Sequence, residues 1–535
     1  MLRKQLFFPL FLAALAFLAW FLYWKLLAPG YLIFSDSAKT AEIARNLALG
    51  EGLGAKFAFF NKEFLTLEGL FPMGSPPLYP IILAIIFKIF GAKDFIVVLT
   101  SGFFYLMGAI ILYFLGKKLF SKTVGFLAAL AFIFDPAILT YATSGASESL
   151  FVFELILTAL LFYINTRNSL VFGFLTLVAL YFTRPSAIIY IAGFIILFIL
   201  LRFKKKNQIL KAFGVVFIIW LLFEMILVKI GEGFFLYSPL GSFLFSVSSF
   251  SPLSASTEAL RGGMVAIGFQ FKLFLSKFLY NLYNFYKLIP QILSPYLMGF
   301  YLLSLLRWEK EREKIIFRSL VLFFILATFF AAAATLPIYR YLHPIIPFIY
   351  LLAVEMLVWI IRKLITFSPI IRLIGVTKVV FVLLFIFIIG QTTGKIFLDS
   401  RYIRARTNQE KPPVYIQLSW ILKENTKPSD LIITSLVTWG SWYGERKSIW
   451  YPLEPRQLIP PQEKELKIDA IYLTSYKMDD ESYYMGQDWR AVFSNPEELE
   501  DPFFAKNFKL AGKFKIEPEE TYERQGATAI LLIRK

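Results

Sequence analysis

The stretch Tyr31–Gly54, YLIFSDSAKTAEIARNLALGEGLG, puts an aspartate, Asp36, directly behind a long apolar run and then starts an alanine-rich helix. Lys39, Glu42 and Arg45 in the first turns of that helix argue against a second membrane span. A carboxylate at such a boundary has two readings. Ser35, Asp36 or Ser37 caps the helix by accepting its first backbone N–H groups. Alternatively, Asp36 is a general base that deprotonates a hydroxyl or an amine. Both hold together if a serine does the capping.

Other charged residues fall at comparable boundaries. Glu148, in YATSGASESLFVFE, opens an apolar segment, and Glu154 lies six residues deeper, where a carboxylate is costly and needs a partner. Glu148 is a favourable charge at a helix N-terminus, or a partner to Asp36 that orients an acceptor or holds a metal. Arg184 in FTRPSA and Arg340 in LPIYRYLHPIIP flank apolar segments, while Lys62, Lys88 and Lys93 lie in the first loop. Each arginine alone is explained by snorkelling. Two of them converging on one pocket would bind a phosphate bidentately. His343, one turn past Arg340, reads as a pocket-wall or packing residue, together with Tyr79 and Tyr339.

The elements that must position these groups are set by composition. The 535 residues are 58% hydrophobic and 18% aromatic, against about 45–50% apolar in soluble domains, which makes this a polytopic membrane protein. The chain has no cysteine and one histidine, which excludes disulfides, thiolate chemistry and a multi-histidine metal centre. An oxygen site for a divalent metal, built on Asp36 and Glu148, stays open. Residues 401–535 carry 20 Lys+Arg and 20 Asp+Glu, so the whole +18 excess lies in residues 1–400. That placement fits cytoplasmic loops rather than nucleic-acid binding.

A span takes about 20 apolar residues. Eleven are predicted, near 6–27, 95–115, 123–140, 149–165, 169–183, 186–201, 211–229, 288–306, 315–334, 341–361 and 376–397, the first being a retained span rather than a cleaved signal. Lysine and arginine cluster on one side, in Gly116–Lys122, Arg167, Arg202–Lys211, Arg307–Lys314 and Arg362–Lys378. The opposite side holds Asp36, Glu148, Arg184, the segment 231–285 and Tyr339–His343, so the N-terminus is predicted to be cytoplasmic. Pro76–Gly91 is too short for a span and reads as a helix against the outer leaflet, as does the aromatic, lysine-dotted Phe271–Ile289.

The chain divides into a membrane domain, 1–399, with a first outside loop at 28–94, and a soluble domain, 400–535. In the latter, an amphipathic helix (Tyr415, Leu418, Leu422) precedes a KPSD turn and the strand Leu431–Thr434, with further strands at Asp469–Ser475 and Ala527–Arg534. The predicted fold class is a polytopic α-helical membrane protein of about eleven spans with a C-terminal α/β or α+β domain outside the membrane.

Taken in order, Asp36 after the first span, AEIARNLALGEGLG, GSPPLYPIILAIIFKIFG, an acidic residue after the third span and YRYLHPIIPFIYLLA before a late span resemble the GT-C superfamily of membrane glycosyltransferases. The branch is similar to glycosyltransferase family 39 and its bacterial relatives, the protein O-mannosyltransferase-like enzymes and the lipid A aminoarabinose transferases. The resemblance covers roughly the first 350 residues. It implies transfer of a monosaccharide from a polyprenyl-phosphate donor to a lipid, protein or glycan acceptor at the outer face of the cytoplasmic membrane. It further implies that Asp36 is the base, Glu148 assists and Arg340 binds the lipid phosphate. Relatives often carry two adjacent acids where this chain has SDS, and a lysine or histidine where it has Gly74 and Ser75. The cation for that position is then sought in Lys62 or Arg184. The rival reading is a multi-span transporter or lipid flippase, for which mid-span Glu224 and Glu355 would be the essential charges.

Overall fold

The computed structural model describes residues 2–27, 30–202, 206–229, 246–248, 264–266, 270–335, 337–364, 376–384, 386, 411–459, 467–480, 483–499 and 501–535. Helix α1 (Leu2–Leu27) is followed by α2 (Ser35–Leu49), the short strand β1 (Phe57–Ala58) and α3 (Leu78–Phe90). The bundle continues through α4 (Asp94–Leu119), α5 (Lys122–Ile133), α6 (Pro136–Thr143), α7 (Glu148–Ile164), α8 (Arg167–Thr183), α9 (Ala187–Arg202) and α10 (Lys206–Lys229). After the small hairpin β2 (Ser246–Ser248) and β3 (Met264–Ala266) come α11 (Phe271–Ile292), α12 (Pro295–Leu306), α13 (Arg312–Ala334), α14 (Ile346–Leu364) and α15 (Val376–Leu384).

Helices therefore stand at each of the eleven predicted places, but not as eleven simple spans. Among the described residues, four helices are long and apolar enough to cross a membrane, or six if each bent pair counts as one. Pro136 takes the first position of α6 and Asp135 caps it by accepting from Ile138 N at 2.9 Å, which bends the predicted span 123–140 by 59°. The span predicted from 288 starts instead at Pro295, because α11 runs on to Ile292 before a 113° turn. Helices α7, α8 and α9, with 17, 17 and 16 residues, are each shorter than the about 20 residues of a typical crossing. Val171, Phe172, Leu175, Ile188 and Ile196 on α8 and α9 remain exposed, as lipid-facing side chains do. The end of the last predicted span, 387–397, lies outside the described residues.

Helix α3 is the short apolar element of the first loop. Tyr79, Pro80, Leu83, Ala84 and Phe87 are buried, while Ile85, Ile89 and Phe90 are exposed. That split suits a helix that packs on protein with one face and meets lipid with the other.

The C-terminal part begins with α16 (Val414–Asn425) and then β4 (Leu431–Thr434), the one-turn α17 (Trp439–Trp442), β5 (Lys447–Trp450) and β6 (Ala470–Thr474). It closes with α18 (Gln487–Ser494), α19 (Pro502–Asn507), β7 (Phe508–Ile516) and β8 (Ala527–Arg534). The sheet order is β1-β5-β4-β6-β8-β7, parallel from β1 to β6 and antiparallel beyond. Strands β4 and β6 are buried at every residue, as strands covered on both faces must be. Edge strand β7 alternates instead and carries Lys509, Lys513 and Lys515, which discourages further pairing.

Strand β1 belongs to the first loop, so the sheet is completed by residues nearly 400 positions away from β5. Phe57 and Ala58 pair with Ser448 and Ile449, and Phe57, Leu65 and Phe71 are buried in the sheet's own core. The first loop and the C-terminal domain thus share one sheet and one core.

Candidate active site

Asp36 lies in the first turn of α2, which opens at Phe34 without a side-chain cap. The capping reading therefore fails for all three candidates. The Ser35 carbonyl accepts from Thr438 Oγ1 at 2.6 Å, Ser37 Oγ is buried without a partner, and the Asp36 carboxylate is engaged elsewhere. Asp36 Oδ2 accepts from Arg340 Nη1 at 2.6 Å, with the carboxylate 61% and the guanidinium 32% exposed. The Arg340 guanidinium holds the Asp36 carboxyl below the usual carboxylate range against an opposing burial effect, and Arg184 and Lys39 add smaller pulls.

Arg340 is presented by a 3-10 turn, Tyr339–Ile345, that contains Pro344 and leads into α14. Its Nε has no hydrogen-bond partner in the protein. Proline at this point removes a backbone donor, so the chain enters α14 through the tighter turn and Arg340 stays at the helix mouth.

A second pair stands beside the first. Glu148 opens α7, Arg184 ends α8, and Arg184 Nη1 lies 2.5 Å from Glu148 Oε1. The turn before Glu148 is fixed by packing. Gly145 has φ +74°, and a Cβ there would come within 2.8 Å of Val97 Cγ1. Tyr79 Oη donates to Gly145 O at 3.2 Å, and Ser101 Oγ lies 3.1 Å from Ala146 O and 3.2 Å from Ser149 Oγ. Arg184 acts electrostatically on Asp36 and Arg340 on Glu148, so the two pairs are one cluster of opposed charges.

Of the residues singled out in the sequence, Asp36, Glu148, Arg184 and Arg340 come together from α2, α7, α8 and the 3-10 turn. His343 joins them, 2% exposed, edge-on to Tyr141 at 4.4 Å and 65°, with neither ring nitrogen hydrogen-bonded. Tyr79 is 1% exposed and is a support for the Gly145 turn rather than a wall of an open pocket. The side chain of Tyr339 lies outside the described residues. Lys62 is exposed at the head of a 3-10 turn whose Leu65 is buried in the soluble sheet's core, and it makes no ion pair with the cluster. Of the two glutamates, Glu154 is the one left out, since it accepts from Thr183 Oγ1 at 3.0 Å instead of meeting an arginine.

The oxygen site read for a divalent ion is occupied by arginines in this structure. Both expected ligands, Asp36 and Glu148, face a guanidinium, and no group of three or more His, Asp or Glu side chains that could hold a metal occurs among the described residues. Mid-span Glu224 and Glu355, the charges a transporter would use, are satisfied locally: Tyr181 Oη donates to Glu224 at 2.6 Å, and Arg307 Nη1 lies 2.5 Å from Glu355.

Sequence reasoning missed the contribution of the C-terminal domain. Tyr483 hydrogen-bonds Ser35, next to Asp36. Tyr415 Oη donates to Leu32 O at 3.1 Å, and Leu32 N donates to Tyr443 Oη at 2.9 Å. Arg45 stacks on Trp442 and donates to the carbonyls of Ser441 and Trp442 at 2.8 and 2.9 Å. Asp94 accepts from Trp442 Nε1 and from Tyr443 Oη, both at 2.7 Å. The tyrosines and tryptophans of Val437–Pro452 are thus largely the means by which the domain grips the base of the first loop. No local pattern in the sequence announces such contacts.

Known proteins share parts of this arrangement. Residues 74–228 match the family model described as dolichyl-phosphate-mannose-protein mannosyltransferase, a segment that includes Glu148 and Arg184 but neither Asp36 nor Arg340. No curated protein matches the chain. Among solved structures, ArnT from Cupriavidus metallidurans bound to undecaprenyl phosphate is 12% identical, over 90% of this chain and 96% of that one, with a TM-score of 0.51. The Archaeoglobus fulgidus oligosaccharyltransferase in the apo form is 14% identical, over 95% and 73%, with a TM-score of 0.55. The archaeal oligosaccharyltransferase AglB from the same organism, in complex with an inhibitory peptide and a dolichol-phosphate, is 13% identical, over 96% and 74%, with a TM-score of 0.50. The chain has the fold of the GT-C membrane glycosyltransferases.

Proposed function

We propose that this protein transfers a monosaccharide from a polyprenyl-phosphate-linked donor to a lipid, protein or glycan acceptor at the outer face of the cytoplasmic membrane. The reading is carried by one observation, the Asp36–Arg340 pair with Glu148 and Arg184 beside it, at the boundary between helix bundle and soluble domain. Its setting in a GT-C fold and the family match over residues 74–228 support it.

The chemistry follows from the charges. A phosphate attached to a sugar is a tolerable leaving group and needs positive charge rather than a proton, which Arg340 and Arg184 supply. The acceptor hydroxyl or amine attacks the anomeric carbon from the face opposite the phosphate. The new bond forms as the carbon–oxygen bond to phosphate breaks, the acceptor proton passes to Asp36, and the anomeric configuration inverts. Paired with Arg340, Asp36 is a weak base. A donor phosphate that draws Arg340 to itself frees Asp36 and raises its basicity, so proton abstraction waits for a loaded donor site. Glu148, held by Arg184, keeps that second arginine from collapsing onto Asp36.

The test is transfer of labelled sugar from polyprenyl-phosphate donors to native lipid and protein fractions by wild type and Asp36→Asn. Label that enters one fraction and is lost in the variant supports the reading and identifies the acceptor class. Equal labelling by both proteins removes Asp36 from the reaction.

A further inference from the structure

The side chains of Asp36 and Arg340 are 61% and 32% exposed where they pair. An ion pair so open to water contributes too little to fix its own geometry. The two backbone segments that carry it must be placed by other contacts, and one side chain touches both. Tyr141, buried on α6, has its ring centroid 5.6 Å from that of Phe34 at 33° and 4.4 Å from that of His343 at 65°. Phe34 stands two residues before Asp36, and its carbonyl accepts from Ser37 N and Ala38 N at 3.1 and 3.2 Å, which starts α2. His343 stands three residues after Arg340 in the same 3-10 turn, where residues three apart eclipse one another. Neither of its ring nitrogens is hydrogen-bonded, so packing orients that ring.

From these contacts we infer that Tyr141 is a positioning residue, whose ring bridges Phe34 and His343 and so sets the separation of Asp36 from Arg340. Its own backbone stands on a fixed base. Thr140 Oγ1 shares a hydrogen bond with Tyr23 Oη at 2.8 Å, the Tyr141 carbonyl accepts from Ser101 Oγ at 3.2 Å, and the Ala142 carbonyl accepts from Trp20 Nε1 at 3.0 Å. Three successive residues of α6 are thus tied to α1 and α4, and the ring projects from that platform toward two segments 300 residues apart. Helix α6 also leads through the Gly145 turn into Glu148, so one short element helps to place both ion pairs. Aromatic rings at such distances contribute beyond the area they bury, and their preferred angles give the contact a geometry. The inference rests on the proposed function only in taking Asp36 as the base.

The experiment compares the purified full-length wild type with Tyr141→Leu and Tyr141→Phe in two measurements. Amide hydrogen exchange reads Ser37 and Ala38, which donate to Phe34 O, and Ile346, which donates to His343 O. In Tyr141→Leu exchange should quicken about three- to tenfold in both segments together, while Tyr141→Phe, which keeps the ring, stays at the wild-type rates. The pH profile of kcat/KM for sugar transfer from a polyprenyl-phosphate donor is the second measurement. Its acid limb should move to higher pH in Tyr141→Leu, as Asp36 loses part of the Arg340 charge, and remain in place in Tyr141→Phe. Arg184 from α8 and Lys39 from α2 itself still act on Asp36, so the movement is partial. A merely structural defect lowers kcat by reducing the folded fraction and leaves the limb where it was. If Tyr141→Leu fails to fold, Phe34→Leu removes one of the two contacts and should quicken exchange at Ser37 and Ala38 but not at Ile346. Exchange unchanged in both segments, or an unmoved limb in an active Tyr141→Leu, overturns the assignment. A wild type that transfers no sugar, with exchange that quickens as described, overturns the proposed function and supports the placement by Tyr141.

Discussion

Asp36 and Arg340, 304 residues apart in sequence, meet through a 2.6 Å hydrogen bond between Oδ2 and Nη1. The residue best placed to take a proton is thus tied to the residue best placed to hold a phosphate. Under the proposed function, this one contact couples donor binding to the strength of the base. Because Arg340 keeps the Asp36 carboxyl below its ordinary range, the acid limb of the pH profile of kcat/KM, which reports the free enzyme, should lie below that of an ordinary aspartate. In Arg340→Met the limb should move to higher pH, as well as activity falling. An unshifted limb would separate Asp36 from the titration that limits the rate.

Glu148 and Arg184 make a pair of another kind, with side chains only 6% and 15% exposed. Removing one member strands the other charge, which costs about 3–5 kcal/mol in buried pairs. Arg184→Met should therefore lower the melting temperature clearly, and Glu148→Gln combined with Arg184→Met should recover part of the loss. A double-mutant cycle read by thermal unfolding checks this, since independent sites would simply add.

The grip of the soluble domain is concentrated on Asp94 and Tyr443. The tyrosine hydroxyl donates to Asp94 and accepts from Leu32 N. Tyr443→Phe leaves a half-buried carboxylate and a buried backbone donor each short of a partner, at a cost of about 1–3 kcal/mol. The expected outcome is faster amide hydrogen exchange at Leu32 and along the start of α2, with the sheet of the soluble domain unchanged. Exchange that stays uniform would place the grip in other contacts.

The bundle was readable because apolar runs in lipid have few folding options, and helices occur wherever such runs were long enough. The bend at Asp135–Pro136 was missed, because 123–140 was read as one span, although it is written locally in a proline and a capping aspartate. Strands β4, β6 and β8 were legible from their unbroken apolar residues, whereas β1 is two residues long and exists only because β5 lies beside it. The same division holds for the site. Asp36, Glu148, Arg184 and Arg340 stood out as charges at the edges of apolar segments. Which of them would pair was not written anywhere near them, because each partner arrives on another helix. Lys62 misled because position in a loop says nothing about the direction in which the loop folds.

Glu42 makes stability depend on pH through the same helix. It is fully buried on α2, where Oε1 accepts from Asn46 Nδ2 at 2.5 Å and from Lys56 N at 2.8 Å, while Oε2 has no partner. Burial pushes its carboxyl up to about 7, only partly offset by those two donors. The folded protein therefore holds a proton there that the unfolded chain has lost above its own carboxylate range. By linkage, the stabilisation is complete below the unfolded value of 4.5 and is lost as pH rises through about 7. A gap of that size between the folded and unfolded carboxyl corresponds to a loss on the order of 3 kcal/mol. The melting temperature of the wild type should consequently fall between pH 5 and pH 8. Glu42→Gln keeps the shape and the acceptor for Lys56 N but cannot ionise, so its melting temperature should change less over that interval and exceed that of wild type at pH 8. A wild-type melting temperature that rises across this range, or a Glu42→Gln profile parallel to it, would mean that the buried carboxyl stays ionised and finds its compensation elsewhere.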